Sequence, residues 1–301
     1  MAAANYLPEI LETTEAEKLA TGFKFTEGPL WHPAGYYYFV DLRSNKLHKI
    51  VPGQKPELVR ETQEGNGTTF DLQGRVIHCE GGGRCVTRLH ADGRVEVVAD
   101  RYMGGRFNRP NDVVCRSDGS IFFTDPDKRV AFSKREIPPA EGINNLWDGA
   151  AVYRIAPDGS VTMCANCEYP NGLAFSPDER TLYVANTRSS KYIHALEIDA
   201  AGNLLRRSIF ADMNRGTEPG IPDGLKVDSL GRVYCTGPGG IWVFTPDGRH
   251  IGTIKFPEQS VNFAFGGEDL RTLFCCAHTS VYTLQVKVPG QPHPWYRLHA
   301  R

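Results

Sequence analysis

The chain is short of net charge: 34 Lys and Arg stand against 35 Asp and Glu over 301 residues, a formal −1. A protein that grips nucleic acid through its phosphates carries a basic excess, so that class drops out. No stretch approaches the ~20 consecutive apolar residues of a membrane span. The amino terminus, MAAANYLPEILETTEAEKLA, has neither the basic start nor the apolar run of a secretory signal. Eight cysteines in a chain this long do not make a disulfide framework. Cys79, Cys115, Cys235, Cys275 and Cys276 lie in apolar runs and read as small buried hydrophobes. Cys164 and Cys167 form a lone CxxC pair, with no second pair and no His at zinc-finger spacing. There is no GxSxG elbow, no HExxH and no phosphate loop, and the glycine clusters EGGGRC and GPGG close strand-like runs with no helix after them. What survives is a cytoplasmic globular protein, a monomer or weak homo-oligomer, with no nucleic-acid or membrane partner.

What is present is glycine, 31 residues of it, with 20 Pro, 41% apolar and 10% aromatic residues. That composition excludes a disordered chain and leans toward turn-rich, all-β structure. Six segments share one pattern, an acid or amide followed by an alternating apolar run and then a turn. They begin at Glu27 (EGPLWHPAG), Asn66 (NGTTFDLQG), Asn111 (NDVVCRSDG), Asn171 (NGLAFSPDE), Asp223 (DGLKVDSLG) and Asn262 (NFAFGGEDL). Each turn leads into a second apolar run: YYYFVD, RVIHCE, SIFFTD, TLYVAN, RVYCTG and TLFCCA. Second hairpins follow around Asp92-Gly93, Asp158-Gly159 and Asp247-Gly248, where a tight turn calls for positive φ.

Intervals of 39 to 60 residues between anchors, with four strands per unit, spell a six-bladed β-propeller of four-stranded antiparallel blades around a central channel. We therefore expect one domain over residues 1–301. Its N-terminal segment, 1–24, supplies EKLATGFKF as the strand that closes the last blade. Residues 127–148 read as a long loop over one face, and 290–301 as a C-terminal tail.

First strands of propeller blades are innermost, so the six anchors ring one mouth of the channel. Two carboxylates and several amide oxygens around one axis suit a hard divalent cation. No His or Cys joins them, which argues against a dedicated zinc site. The rival reading makes Asn66-Gly67, Asn171-Gly172 and Asp223-Gly224 mere turn signals. Shared register across six blades favours convergence, while the repeat leaves open which anchors bind metal. Arg109 stands two residues before Asn111, where a cation could hold a carbonyl or stabilise an oxyanion, or sit in a surface ion pair. Asp41, Glu80 and Asp125 end the second strands of the first three blades on the same face, as supports or as solvated strand ends.

The motifs FTEGPLWHP, NGTTFDLQGRVIHCE, RPNDVVCRSDGSIFFTDP, YPNGLAFSPDERTLYVANT and PDGLKVDSLGRVYCTGPGG, with NFAFGG, resemble the SMP-30/gluconolactonase/LRE family, most closely its bacterial gluconolactonase branch, from about Glu27 to about Gly267. The resemblance implies a propeller that hydrolyses a sugar lactone with one divalent metal on its axis, calcium first, with Mn, Mg, Zn or Fe as alternatives. By motif it implies Glu27, Asn171 and Asp223 as metal ligands and Asp223 also as proton donor and acceptor. Arg109 and Asn111 would contact substrate, with Asn66 and Asn262 as further residues of the mouth. On that reading the cation polarises the lactone carbonyl while water, deprotonated by Asp223 or by the metal itself, attacks. Two departures bear on the sugar. INNLWDGAAVY lacks the Glu that animal members place there, and the EHG of bacterial relatives is Glu80-Gly81-Gly82. A metal-dependent esterase or organophosphate hydrolase on the same site, and a non-enzymatic scaffold, are the alternatives.

Overall fold

The computed structural model describes residues 7–126, 150–188, 190–215 and 217–299. The stretch read as a long loop, 127–148, lies outside them. The described chain forms six antiparallel sheets of four strands, five of them simple meanders. The innermost strands, in order, are Thr26–His32, Gly65–Phe70, Val113–Cys115, Pro170–Phe175, Leu225–Val227 and Asn262–Gly266. Each packs against the innermost strand on either side, and the sixth packs against the first, which closes a β-propeller.

Burial follows from that arrangement. Inner strands touch neighbours on both faces, and every residue of Gly65–Phe70 and Pro170–Phe175 is buried. The outermost strand of the first blade, Glu57–Glu61, leaves four of its five residues exposed. Apolar clusters lie between blades, one for each of the six interfaces. Trp31, Tyr37 and Phe39 of the first blade meet Phe274, Cys276 and Val281 of the sixth, with Tyr37 stacked on Phe274 at 4.2 Å between ring centres. Ile77, Cys79 and Val86 of the second meet Phe123 and Tyr153 of the third. Burying such side chains, at about 25 cal/mol per Å², is what holds one blade to the next. The Asp-Gly hairpins take the backbone that their sequence demands, with φ of +84° at Gly93, +84° at Gly159 and +87° at Gly248.

All eight cysteines are buried and unpaired. Burial pushes the thiols of Cys164 and Cys167 up to about 12 and about 11, so neither offers the thiolate that metal or redox chemistry needs.

The sixth blade takes its outer strand, Glu17–Thr21, from the other end of the chain. It pairs antiparallel with Ser280–Gln285. The C-terminal stretch is a structural element in its own right. The Gln291 N–H donates to the Val227 carbonyl, His293 Nε2 meets Thr69 Oγ1 at 3.2 Å, and the Tyr296 hydroxyl donates to the Trp31 carbonyl. These contacts lace together the fifth, second and first blades across the end of the channel opposite the anchors. No helix among the described residues is long and apolar enough to cross a membrane.

Deleting residues 1–21 should expose the edge of Ser280–Gln285, lower the thermal midpoint on the order of 10 °C and produce concentration-dependent aggregation. Calorimetry and light scattering read both; an unchanged midpoint would mean that the closing strand is dispensable.

Candidate functional site

The six anchors stand together because neighbouring inner strands approach too closely for a side chain between them. A methyl carbon at Gly28 would lie 2.1 Å from the Asn66 carbonyl oxygen, and one at Gly172 would lie 2.1 Å from that of Asp223. One at Gly67 would meet the Asp112 carboxylate at 2.4 Å, and one at Gly224 would meet Asn262 Oδ1 at 2.2 Å. The Gly67 N–H donates to the Asn111 carbonyl, the Gly172 N–H to that of Asp223 and the Gly224 N–H to that of Val261. Asn262 Nδ2 donates to Glu27 Oε2 at 2.9 Å, joining the sixth blade to the first. The glycine that follows four of the six anchors is therefore a point of contact between blades, not the corner of a hairpin.

The second strands steady this ring from outside. Asp41 accepts from the N–H groups of Lys24 and Phe25, Glu80 from that of Gln63, Asp125 from those of Asn108 and Arg109, and Asn186 from that of Tyr169. In each case the side chain clasps the two or three residues leading into an anchor. Thr236 Oγ1 does the same for the Asp223 N–H.

Glu27, Asn66, Asn111, Asn171 and Asn262 are buried, and Asp223 is half-buried. Asn171 Nδ2 donates to Thr187 Oγ1 at 2.9 Å, and that hydroxyl donates its own proton to the Pro222 carbonyl at 2.6 Å. This pair of bonds fixes which way the amide faces. Asn171 Oδ1 is then buried with no hydrogen-bond partner among the described residues. An orphaned acceptor of this kind costs about 1–3 kcal/mol unless something fills it. The side chains of Asn66 and Asn111 make no hydrogen bonds among the described residues.

Glu27 Oε2 takes the Gly28 N–H at 2.7 Å as well as Asn262. Burial, reinforced by the nearby Asp112 carboxylate, raises the Glu27 carboxyl to about 7. Asp112 is itself buried and held above the usual carboxylate range by desolvation. The cation facing both is Lys226, whose Nζ lies 3.9 Å from Asp112 Oδ2 and 3.5 Å from Asn262 Oδ1. Arg109 crosses Gly81 and pairs with Glu64 at 2.6 Å. Sequence reasoning missed Asp112, Lys226, Thr187 and Glu64. A signal existed for Asp112 alone, which occupies the place after the anchor that glycine fills in four other blades.

The propeller mouth gathers two carboxylates, four amides and an arginine around its axis. The chain matches the SMP-30/Gluconolactonase/LRE-like region over residues 25–279, and it belongs to that family. It is 31% identical to a gluconolactonase of Zymomonas mobilis, over 92% of this chain and 83% of the relative. It is 28% identical to pentonolactonase XacC of Haloferax volcanii, over 84% of this chain and 81% of that one. A solved gluconolactonase structure from Xanthomonas campestris is similar at a TM-score of 0.83 and 32% identity, covering 94% of each chain.

A carboxyl raised from 4.5 to about 7 makes the folded, metal-free protein lose stability as pH climbs through that window, because the unfolded chain ionises first. Glu27→Gln, whose amide oxygen accepts the same two bonds, should flatten that slope. In chelator-treated protein it should gain on the order of 3 kcal/mol at pH 8 and little at pH 4. Urea denaturation at the two pH values measures it.

Proposed function

We propose that this chain hydrolyses sugar lactones to aldonic acids at the anchor mouth, using a divalent cation held by Glu27, Asn171 and Asp223. The observation that carries the cation is the Asn171 amide, turned by Thr187 so that a buried oxygen is left unanswered. Two carboxylates and one amide oxygen are hard donors, suited to calcium first and to manganese or magnesium next. No group of three or more His, Cys, Asp or Glu capable of holding a metal occurs among the described residues, and this donor set draws its third member from an amide. When bound, the cation supplies Lewis-acid polarisation of the lactone carbonyl.

The chain's own side chains do the rest. Asp223, half-buried on the fifth blade, takes a proton from the attacking water and returns it to the ring oxygen as the C–O bond breaks. Arg109 donates to the developing oxyanion. The unclaimed amides of Asn66 and Asn111 hydrogen-bond sugar hydroxyls. The family relationship and the lactonase names of its relatives support a lactone as substrate. We place the enzyme in the cytoplasm as a monomer or weak homo-oligomer.

The test is hydrolysis of a panel of five- and six-carbon lactones, followed by acid release. Asp223→Ala should cut kcat by about 10²–10⁴-fold at saturating cation, and chelation should abolish activity until calcium or manganese is returned. Undiminished kcat in Asp223→Ala would overturn the assignment of the base. Turnover of a phosphotriester with none of any lactone would overturn the substrate class.

A further inference from the structure

The Arg109–Glu64 pair is built into the mouth with care. Glu64 stands two residues before the anchor Asn66, and Arg109 two before Asn111, where Gly67 N–H and the Asn111 carbonyl join the two blades at 2.7 Å. Arg109 passes over Gly81, at which a methyl carbon would lie 2.7 Å from Arg109 Cγ. The absence of a side chain at Gly81 is what gives the arginine room. Glu64 holds a left-handed backbone, φ +51°, that a residue with a side chain adopts only at a cost. Its N–H donates to Asn45 Oδ1 at 3.0 Å, and its carbonyl accepts from the Gly81 N–H at 3.1 Å. On one side Gln63 is tied by Glu80 Oε2 at 2.5 Å and by the Gly82 N–H at 2.9 Å. Both partners keep about a quarter to a third of their side-chain surface exposed, 26% for Arg109 and 31% for Glu64. An ion pair that wet contributes little stability, so strain and anchoring on this scale call for another role.

We propose that Glu64 is a specificity-determining residue. Its carboxylate neutralises Arg109 and sets the mouth to accept uncharged sugar lactones and to disfavour those that carry an anionic group. The proposal rests on the lactonase reading of the site. With Glu27 and Asp223 also facing the mouth, a neutralised Arg109 leaves no uncompensated cation there from the described side chains. The same balance lets the aldonate anion leave after ring opening. Removing the Glu64 charge frees the guanidinium to attract an anion over a few ångströms.

A matched pair of substrates tests this: D-glucono-1,4-lactone, uncharged, and D-glucaro-1,4-lactone, which bears a carboxylate. Glu64→Gln keeps the shape, and Glu64→Gly suits the left-handed backbone, so a fold defect in one is controlled by the other. In both variants the ratio of kcat/KM for the charged over the uncharged lactone should rise about tenfold, and the gain should shrink as salt screens it. Glu64→Asp should keep most of the wild-type preference. Glucarate should also bind about tenfold tighter to the variants than to wild type by calorimetry, while gluconate changes less. Ratios within twofold of wild type in variants that retain their thermal midpoint would overturn the proposal. If wild type hydrolyses neither lactone, the lactonase reading fails, and the glucarate-to-gluconate binding ratio alone decides the role of Glu64.

Discussion

The close approach of adjacent inner strands is the constraint on which everything else here depends. At Gly28, Gly67, Gly172 and Gly224 the neighbouring blade occupies the volume that a Cβ would need. Such packing has two consequences at once. It closes the ring, and it sets the residue before each glycine at the mouth beside its counterpart from the next blade. A functional cluster is thereby a by-product of the contact that assembles the fold. The third blade breaks the pattern with Asp112, and it is there that a second buried carboxylate enters and Lys226 comes in to face it.

Crowding polar groups on an axis is unfavourable unless each is answered, and the ways in which they are answered divide the ring into two kinds of residue. Asp41 and Asp125 accept from backbone N–H groups, Glu80 from one together with Arg60 and Thr87, and Asn186 from one while its amide donates to the Arg188 and Ser190 carbonyls, and all four hold the anchors still. Glu27, Asn171, Asn66 and Asn111 are left with something over: a carboxyl held above its usual range, an orphaned oxygen, two unclaimed amides. The rigid set makes the unsatisfied set possible. Preorganised donors and acceptors that do not collapse onto one another are what a site needs in order to act on a bound molecule without first rearranging.

How much of this could be read from sequence depends on range. The blades were readable because a hairpin is local: alternation, an Asp-Gly corner and a second run all fall within some twenty residues, and recur. The anchors were readable because a repeat multiplies a weak signal by six. Glu64 and Arg109 each stand two places before an anchor, and Asp112 and Lys226 one and three places after theirs, but which of these residues pair is not part of the repeat. Each pair is set by the rotation from one blade to another, which leaves no periodic trace. Thr187 was hidden for a different reason, since its hydroxyl matters only through the orientation that it gives to Asn171. The C-terminal stretch, read as a tail, carries its function in contacts with distant blades, and its own composition gave no hint of them.

That stretch bears on the chemistry at the opposite mouth. Leu30, Thr69, Val113, Phe175, Val227 and Phe265, one residue from each blade, line a cavity of about 140 Å³ on the axis, and Gln291, Pro292 and His293 cover it. Apolar side chains from the inner strands thus back the ring of anchors from the far side. The Asp112 and Glu27 carboxylates lie between that apolar backing and the polar mouth. Burial in the tight ring, with the Asp112 charge beside it, raises the Glu27 carboxyl. Among the described residues the C-terminal stretch makes no polar contact to any anchor, so it backs the ring through the strands it laces together and not by touching the polar groups of the mouth.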